Sequence, residues 1–178
     1  MFDIIVAVDL NNGIGKYDKE KNKFKLPWPR NKTDLKFFAD TTTKTTNPEL
    51  MNLIIMGRNT FESLPKILPK RLHLVISSKP KDYFPDHDRL IICSSFETAL
   101  EKANQLENEN KIENSFVIGG GMVYQQALKS SQLRYIYLNR FNNQYDCNIY
   151  FPSESLGKLI DKTNVSPDLI MEKYHKVV

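Results

Sequence analysis

The stretch FVIGGGMVY, residues 116–124, decides how the rest of the chain is read. Phe116-Val117-Ile118 is an apolar, β-rich run. It meets three consecutive glycines and then MVYQQALKS (122–130), which reads as a helix. A buried strand that turns on glycine into a helix is the repeating unit of α/β proteins. The N–H groups at such a helix start point outward and carry the positive end of the dipole, so the turn suits a phosphate. The alternative is a tight turn with close packing. The dinucleotide fingerprint G-x-G-x-x-G is absent, because Tyr124 stands where its third glycine belongs and Arg140 where an acid belongs about twenty residues on.

On either side the same alternation continues. FDIIVAVD (2–9), LIIMG (53–57), RLHLVIS (71–77), LIIC (90–93), SFVI (115–118) and LRYIYLNRF (133–141) read as strands. NKTDLKFFADTTT (31–43), RNTFESL (58–64) and SSFETALEKANQLENE (94–109) read as helices. The second of these is begun by Asn59 or Thr60 and the third by a capping box of Ser94 with Glu97. Residues 10–25 read as a polar loop with a solvated, Lys-rich centre. The tail holds two short elements, 157–164 and 168–177. The pattern predicts one α/β domain over residues 1–178, with a mainly parallel sheet covered by helices on both faces and an antiparallel edge. No linker divides it.

Two further strand ends carry groups suited to anions. Gly57, Arg58, Asn59 and Thr60 follow one buried strand, and Ser77, Ser78 and Lys79 follow another. Two glycine-bearing strand ends in one sheet are what an extended dinucleotide needs, and cations at 58 and 79 suit an extra phosphate. The bland reading is a pair of ordinary turns. In LPWPRNKTDLKFF (26–38) the prolines exclude helix around Trp28, and Leu26 and Trp28 want cover. Asp34 and Phe38 share a helix face, with Leu35 on the apolar stripe. An acid in a first helical turn complements the dipole. Beside Phe37 and Phe38 it also suits a flat heterocycle with N–H donors.

With 25 basic against 21 acidic residues the net charge is +4, too weak and scattered to argue for nucleic acid. Cys93 and Cys147 form no C-x-x-C and have no His cluster, which points to free thiols and no metal site. The N-terminus has no basic region ahead of its apolar run, and no run approaches the ~20 residues of a membrane span. These features point to a soluble cytoplasmic protein.

Taken together, AVDLNNGIG, LPWP with DLKFF, IMGRNTFES, LPKR, VISS, VIGGGMVY and YFP resemble dihydrofolate reductase in order and spacing, from about residue 4 to 152. The resemblance implies a three-layer sandwich around a mostly parallel eight-stranded sheet, with about four helices. It also implies NADPH-dependent reduction of dihydrofolate to tetrahydrofolate. Asp34 falls on the family's active-site carboxylate, which holds the pterin's N3 and 2-amino group. Leu26 and Trp28 fall on the end of the mobile loop over the nicotinamide, and Tyr124 on the phenol near that ring. Ile5, Val6, Ala7, Leu35, Phe38, Leu64, Ile118 and Asn139 match substrate positions, and Arg71 the clamp for the glutamate α-carboxylate. Ala7, Ile14 and Gly15 match nicotinamide contacts. Gly57, Arg58, Asn59, Thr60, Ser77, Ser78 and Lys79 match the cofactor's phosphate and ribose positions. Gly119, Gly120, Gly121, Met122, Val123 and Tyr124 match the second phosphate turn, whose first two glycines are joined in that family by a cis peptide.

Three places depart from the family. Ten residues separate Gly15 from Leu26. Asn139 replaces a Thr that bonds the acid, which implies tuning rather than loss of Asp34. Asn148-Ile149 replaces an Asp-Thr pair and puts the loop contacts there in doubt. The chain is expected to be a monomer, or the reductase part of a longer polypeptide with thymidylate synthase. Its partners are expected to be small molecules, with neither nucleic acid nor membrane. The rival readings are a riboflavin-pathway reductase of the same architecture, a silent cofactor-binding module and a basic RNA-binding domain. The pairing of Asp34 with Arg71 argues against the first.

Overall fold

Phe2–Val8 forms β1, and its side chains alternate between two cores. Ile4, Val6 and Val8 enter one apolar cluster and Ile5 the other. Met51–Gly57, β4, does the same, with Leu53 and Ile55 on one side and Ile54 and Met56 on the other. Strands buried on both faces must be sandwiched between layers. The computed structural model describes residues 1–176. Its remaining elements are β2 (Gly13–Asp18), β3 (Lys23–Lys25), α1 (Lys32–Thr43), α2 (Arg58–Ser63), β5 (Arg71–Ile76), β6 (Leu90–Cys93), α3 (Phe96–Asn108), β7 (Ile112–Gly119), α4 (Gly121–Leu128), β8 (Leu133–Phe141), β9 (Ile149–Tyr150), β10 (Lys158–Ser166) and β11 (Leu169–His175).

Eight strands form one sheet in the order β10-β11-β8-β1-β7-β4-β5-β6. The pairs from β8 through β6 are parallel, and β10–β11 and β11–β8 are antiparallel. The apolar faces of α3 and α4 pack on one side, while Phe37 and Phe38 of α1 and Phe61 of α2 pack on the other. The expected three-layer architecture with four helices is the one observed. Because β7 returns to lie between β1 and β4, Gly119 ends beside Met56, with Gly57 next in the chain. Two glycine turns thus meet at one carboxyl edge of the sheet, where open α/β sheets bind ligands.

Residues 10–25 are not a loop throughout, although their Lys-rich centre, residues 19–23, is exposed as expected. β2 and β3 form a hairpin, and β3-β2-β9 form a second small sheet. Tyr17 pairs with Phe24, while Lys16 pairs with Lys25 and Asp18 with Lys23. Both aromatics therefore share one face, a period-two signal hidden beneath the lysines. The helix starts also shift. The capping box of α3 is Ser95 with Thr98, one residue beyond the Ser94–Glu97 pair expected, and the N-cap of α2 is Gly57 rather than Asn59 or Thr60. β9 is too short to have shown a pattern. Of the tail elements, β11 ends at His175, and residue 177 lies outside the described residues. No described helix is long and apolar enough to cross a membrane. No group of metal-ligating side chains occurs among the described residues.

His73, in the middle of β5, is fully buried. Leu68 N–H donates to its Nε2 at 3.0 Å, so the ring's proton sits on Nδ1, 3.2 Å from the Arg71 carbonyl. Burial pushes its pKa down from 6.5 to about 4, and the nearby Arg71, Arg89 and His87 add to the effect. The unfolded chain then binds a proton that the native chain refuses between those values. Stability is unaffected above pH 6.5 and falls as pH drops toward 4, by roughly 2–3 kcal/mol. Urea unfolding at stepped pH should show this slope, and His73→Gln should flatten it.

Candidate functional site

Asp34 occupies the first turn of α1, where the Asn31 side chain caps the helix by accepting from Asp34 N–H at 2.9 Å. This cap fixes the backbone so that the carboxylate turns inward, toward β8. There Asn139 Nδ2 donates to Asp34 Oδ1 at 2.9 Å. Burial raises the Asp34 pKa, and the Asn139 bond only partly offsets this. Asn139 is itself 3% exposed, and its Oδ1 is buried without a partner. A carboxylate only accepts, so the amide must present its NH2 to Asp34. One buried acceptor is left without a partner.

Around this pair lies a mostly apolar cleft of about 200 Å³. Ile5, Val6, Ala7, Ile14, Leu26, Trp28, Leu35, Phe38, Leu64, Ile118 and Tyr124, all singled out from the sequence, line it together with Asp34 and Asn139. Trp28 is 8% exposed and packs on Phe141 and Tyr145, whereas Leu26 overhangs the cleft at 56% exposed. Tyr124 is buried and donates its hydroxyl to the Ile5 carbonyl at 2.9 Å. Burial, then the charge of Asp34, drives the phenol's pKa up, so it stays neutral. Phe24, Phe37, Thr60 and Ser63 also line the cleft. Of these only Thr60 was expected to bind a ligand, and it was expected on the cofactor side.

A larger groove of about 730 Å³ adjoins the cleft. Gly57, Arg58, Asn59, Thr60, Gly120, Gly121, Met122 and Val123 line it. The starts of α2 and α4 open into it at Gly57 and Gly120, neither with a side-chain cap, so their first N–H groups remain for a ligand. The Gly119–Gly120 peptide is cis, and Gly119 has φ +126. A Cβ on Gly121 would come 3.0 Å from Ile149 Cγ2, whereas on Gly120 it meets only Thr60 Oγ1 at 3.4 Å. The positive φ of Gly119 thus requires glycine, a Cβ at 121 would press on Ile149, and Gly120 lies bare at the space shared by cleft and groove.

Five expected residues line neither cavity. Gly15 lies beneath Phe24. Ser77, Ser78 and Lys79 follow Ile76, the last residue of β5 to reach the groove. Lys79 Nζ and Arg58 Cζ both stand over the Tyr83 ring, at 5.5 and 5.9 Å, which brings the two cations expected to hold a phosphate to one place. Arg58 is also paired with Glu62 at 3.1 Å. Arg71 stands behind Phe38, its Cζ 5.9 Å from the ring centroid. It donates from Nε to Pro69 O and from Nη1 to Thr42 Oγ1. No carboxylate pairs with it among the described residues, although it is 5% exposed. Residues 34 and 42 are eight apart on α1, about 12 Å along the axis. The helix therefore runs from a half-buried acid to a buried cation without a carboxylate partner among the described residues.

The groove residues that sequence reasoning missed are Tyr17, Phe24, Ile76, Gln125, Gln126, Asn148, Ile149 and Tyr150. Only the Tyr17–Phe24 alternation carried a signal. The doubt over Asn148 is resolved by its bonds, since Oδ1 accepts from Tyr17 N–H at 2.8 Å and Nδ2 donates to Tyr17 O at 3.0 Å.

Residues 1–165 match the family model described as dihydrofolate reductase. A dihydrofolate reductase of Drosophila melanogaster is 35% identical over 156 residues, covering 85% of this chain and 79% of that one. One of Aedes albopictus is 33% identical over 177 residues, covering 97% and 90%. A bifunctional dihydrofolate reductase-thymidylate synthase of Glycine max is 35% identical over 154 residues, which are 85% of this chain and 28% of that one. The solved structure of Schistosoma mansoni dihydrofolate reductase superposes with a TM-score of 0.78 at 29% identity, covering 99% and 98%.

Proposed function

The chain belongs to the dihydrofolate reductase family and is an oxidoreductase of that activity, and from this premise we propose that it reduces 7,8-dihydrofolate to tetrahydrofolate with NADPH. NADPH, when bound, supplies the hydride that reaches C6 of the substrate. The observation that carries the reading is the placement of Asp34 on the cleft and of Arg71, outside both cavities and behind Phe38, at the two ends of α1. A heterocycle with amidine-type N–H donors meets the acid, and a carboxylate some 12 Å away meets the guanidinium.

The chain's own part is positioning and proton supply. Asp34 holds N3 and the 2-amino group, and Asn139 Nδ2 orients its carboxylate. Burial raises the Asp34 pKa, which brings its proton uptake closer to working pH and favours protonation at N5 through water. Ile5, Ile118, Leu64 and Phe38 exclude solvent from the ring. On the donor side the uncapped starts of α2 and α4 receive the pyrophosphate. Arg58 and Lys79, gathered over Tyr83, receive the 2′-phosphate. The route to one-carbon metabolism and thymidylate follows from the product. A covalent partnership with thymidylate synthase is a second possibility for the full polypeptide, as in the Glycine max relative.

Following nicotinamide absorbance in a mixture of chain, NADPH and dihydrofolate tests the reading; no consumption above background refutes it. Gly120→Ala tests the junction. The protein has room for the methyl, so the melting temperature should stay near that of the parent. NADPH should bind at least about tenfold more weakly, because the methyl enters the space between donor and acceptor. Titration by nicotinamide fluorescence measures it.

A further inference from the structure

We infer that His73 is a positioning residue for Arg71, holding the turn at residues 68–71 so that the guanidinium stands where a substrate carboxylate can meet it. The inference rests on the proposal that Arg71 receives the glutamate α-carboxylate. It gives a function to a buried imidazole that no sequence motif singled out.

The imidazole spans the turn. Its Nε2 accepts from Leu68 N–H at 3.0 Å and its Nδ1 lies 3.2 Å from the Arg71 carbonyl, so one ring bonds the residues at both ends. The ring is itself fixed to the sheet. β5 pairs His73 with Ile54 of β4 and Leu90 of β6, and the His73 backbone N–H donates to the Arg89 carbonyl at 2.9 Å. A polar ring at 0% exposure is costly in an apolar layer unless its nitrogens are bonded. Here both bonds go to the turn. Burial pushes the ring's pKa down to about 4, which keeps Nε2 an acceptor at neutral pH.

The turn needs holding. Lys70 has φ +59, a conformation that residues with side chains seldom adopt and that persists only where neighbours impose it. Arg89 Nη1 adds a second tie by donating to the Leu68 carbonyl at 2.9 Å, so both polar groups of the Leu68 backbone are held. The held turn aims the guanidinium. Arg71 Nε donates to the Pro69 carbonyl at 2.9 Å, and Nη1 to Thr42 Oγ1 at 3.1 Å. One anchor of Arg71 is thus α1, and the other is the turn that His73 grips. Loss of the Leu68 bond frees the Pro69 carbonyl to move, and a guanidinium–carboxylate pair tolerates little misalignment.

The test compares His73→Leu, which has no acceptor for Leu68 N–H, with His73→Gln, whose amide oxygen extends toward the place of Nε2. His73→Leu should raise KM for dihydrofolate about tenfold with kcat nearly unchanged, and should turn over a dihydropterin without a glutamate tail as the parent does. His73→Gln should recover most of the loss. Hydrogen exchange on the unmutated chain gives a second reading, which decides the matter also where His73→Leu does not fold. If the turn sets the affinity of Arg71 for a carboxylate, a bound carboxylate must steady the turn. The Leu68 amide should therefore exchange more slowly with folate bound than with a tail-less pterin bound. Equal loss on the two substrates, a parent-like KM, or equal Leu68 exchange in the two complexes overturns the inference and leaves the role of Arg71 standing. A parent chain that binds folate and the tail-less pterin alike overturns both.

Discussion

Asp34→Asn should lower turnover of dihydrofolate near neutral pH by about 10²–10³-fold while leaving NADPH binding intact. Asp34 is the ionisable side chain lining the cleft, apart from a Tyr124 phenol committed to the Ile5 carbonyl. An amide at position 34 still pairs with Asn139 and fills the same volume, so the loss reports on charge and proton rather than on packing. The same substitution should raise the stability of the ligand-free protein at neutral pH. Burial raises the carboxyl pKa above its ordinary 3.8, so the native chain keeps a proton that the unfolded chain has lost. Stability then falls as pH rises from that ordinary value through the raised one, and the cost of the buried charge persists at neutrality. A variant that is less active but melts higher at pH 7, with the gap in melting temperature closing in acid, is the expected signature. Undiminished turnover near neutrality would remove Asp34 from the reaction.

Arg71→Leu should raise KM for dihydrofolate by about 10²-fold or more, with kcat changed far less. Losing one partner of a buried, charge-assisted pair costs about 2–5 kcal/mol. The guanidinium is buried, lies near the like-charged Arg89, and has no carboxylate partner among the described residues. Burial and that repulsion lower its pKa, so the free protein bears a cost that an incoming carboxylate relieves. A dihydropterin without a glutamate tail should not distinguish the variant from the parent, and equal loss on both substrates would show that Arg71 merely supports α1. Leu is apolar and leaves Thr42 Oγ1 a donor, with the Phe38 carbonyl at 2.7 Å as its acceptor, so the fold should survive.

The frame was readable because its signals are local. Continuous β-branched runs ending in Gly57 and Gly119 specify strands buried on both faces and turning into helices, whatever lies elsewhere in the chain. The acid beside Phe37 and Phe38 announced its own surroundings through helical spacing. The family motifs added the matching of positions. Local signals misled where two patterns overlapped, as in residues 10–25, where lysine density masked the Tyr17–Phe24 alternation.

Other properties arise from residues far apart in the chain, and no local pattern encodes them. Asn139 reaches Asp34 across 105 positions because β8 pairs beside β1. Gly57 meets Gly119 because β7 inserts between β1 and β4. Phe24 stands at the junction of cleft and groove because Asn148, from the other end of the chain, pins the hairpin there. Residue spacing dictated which elements form and which side chains they present. Sheet order dictated which of those side chains face one another, because strand pairing is the step that brings distant segments within bonding reach.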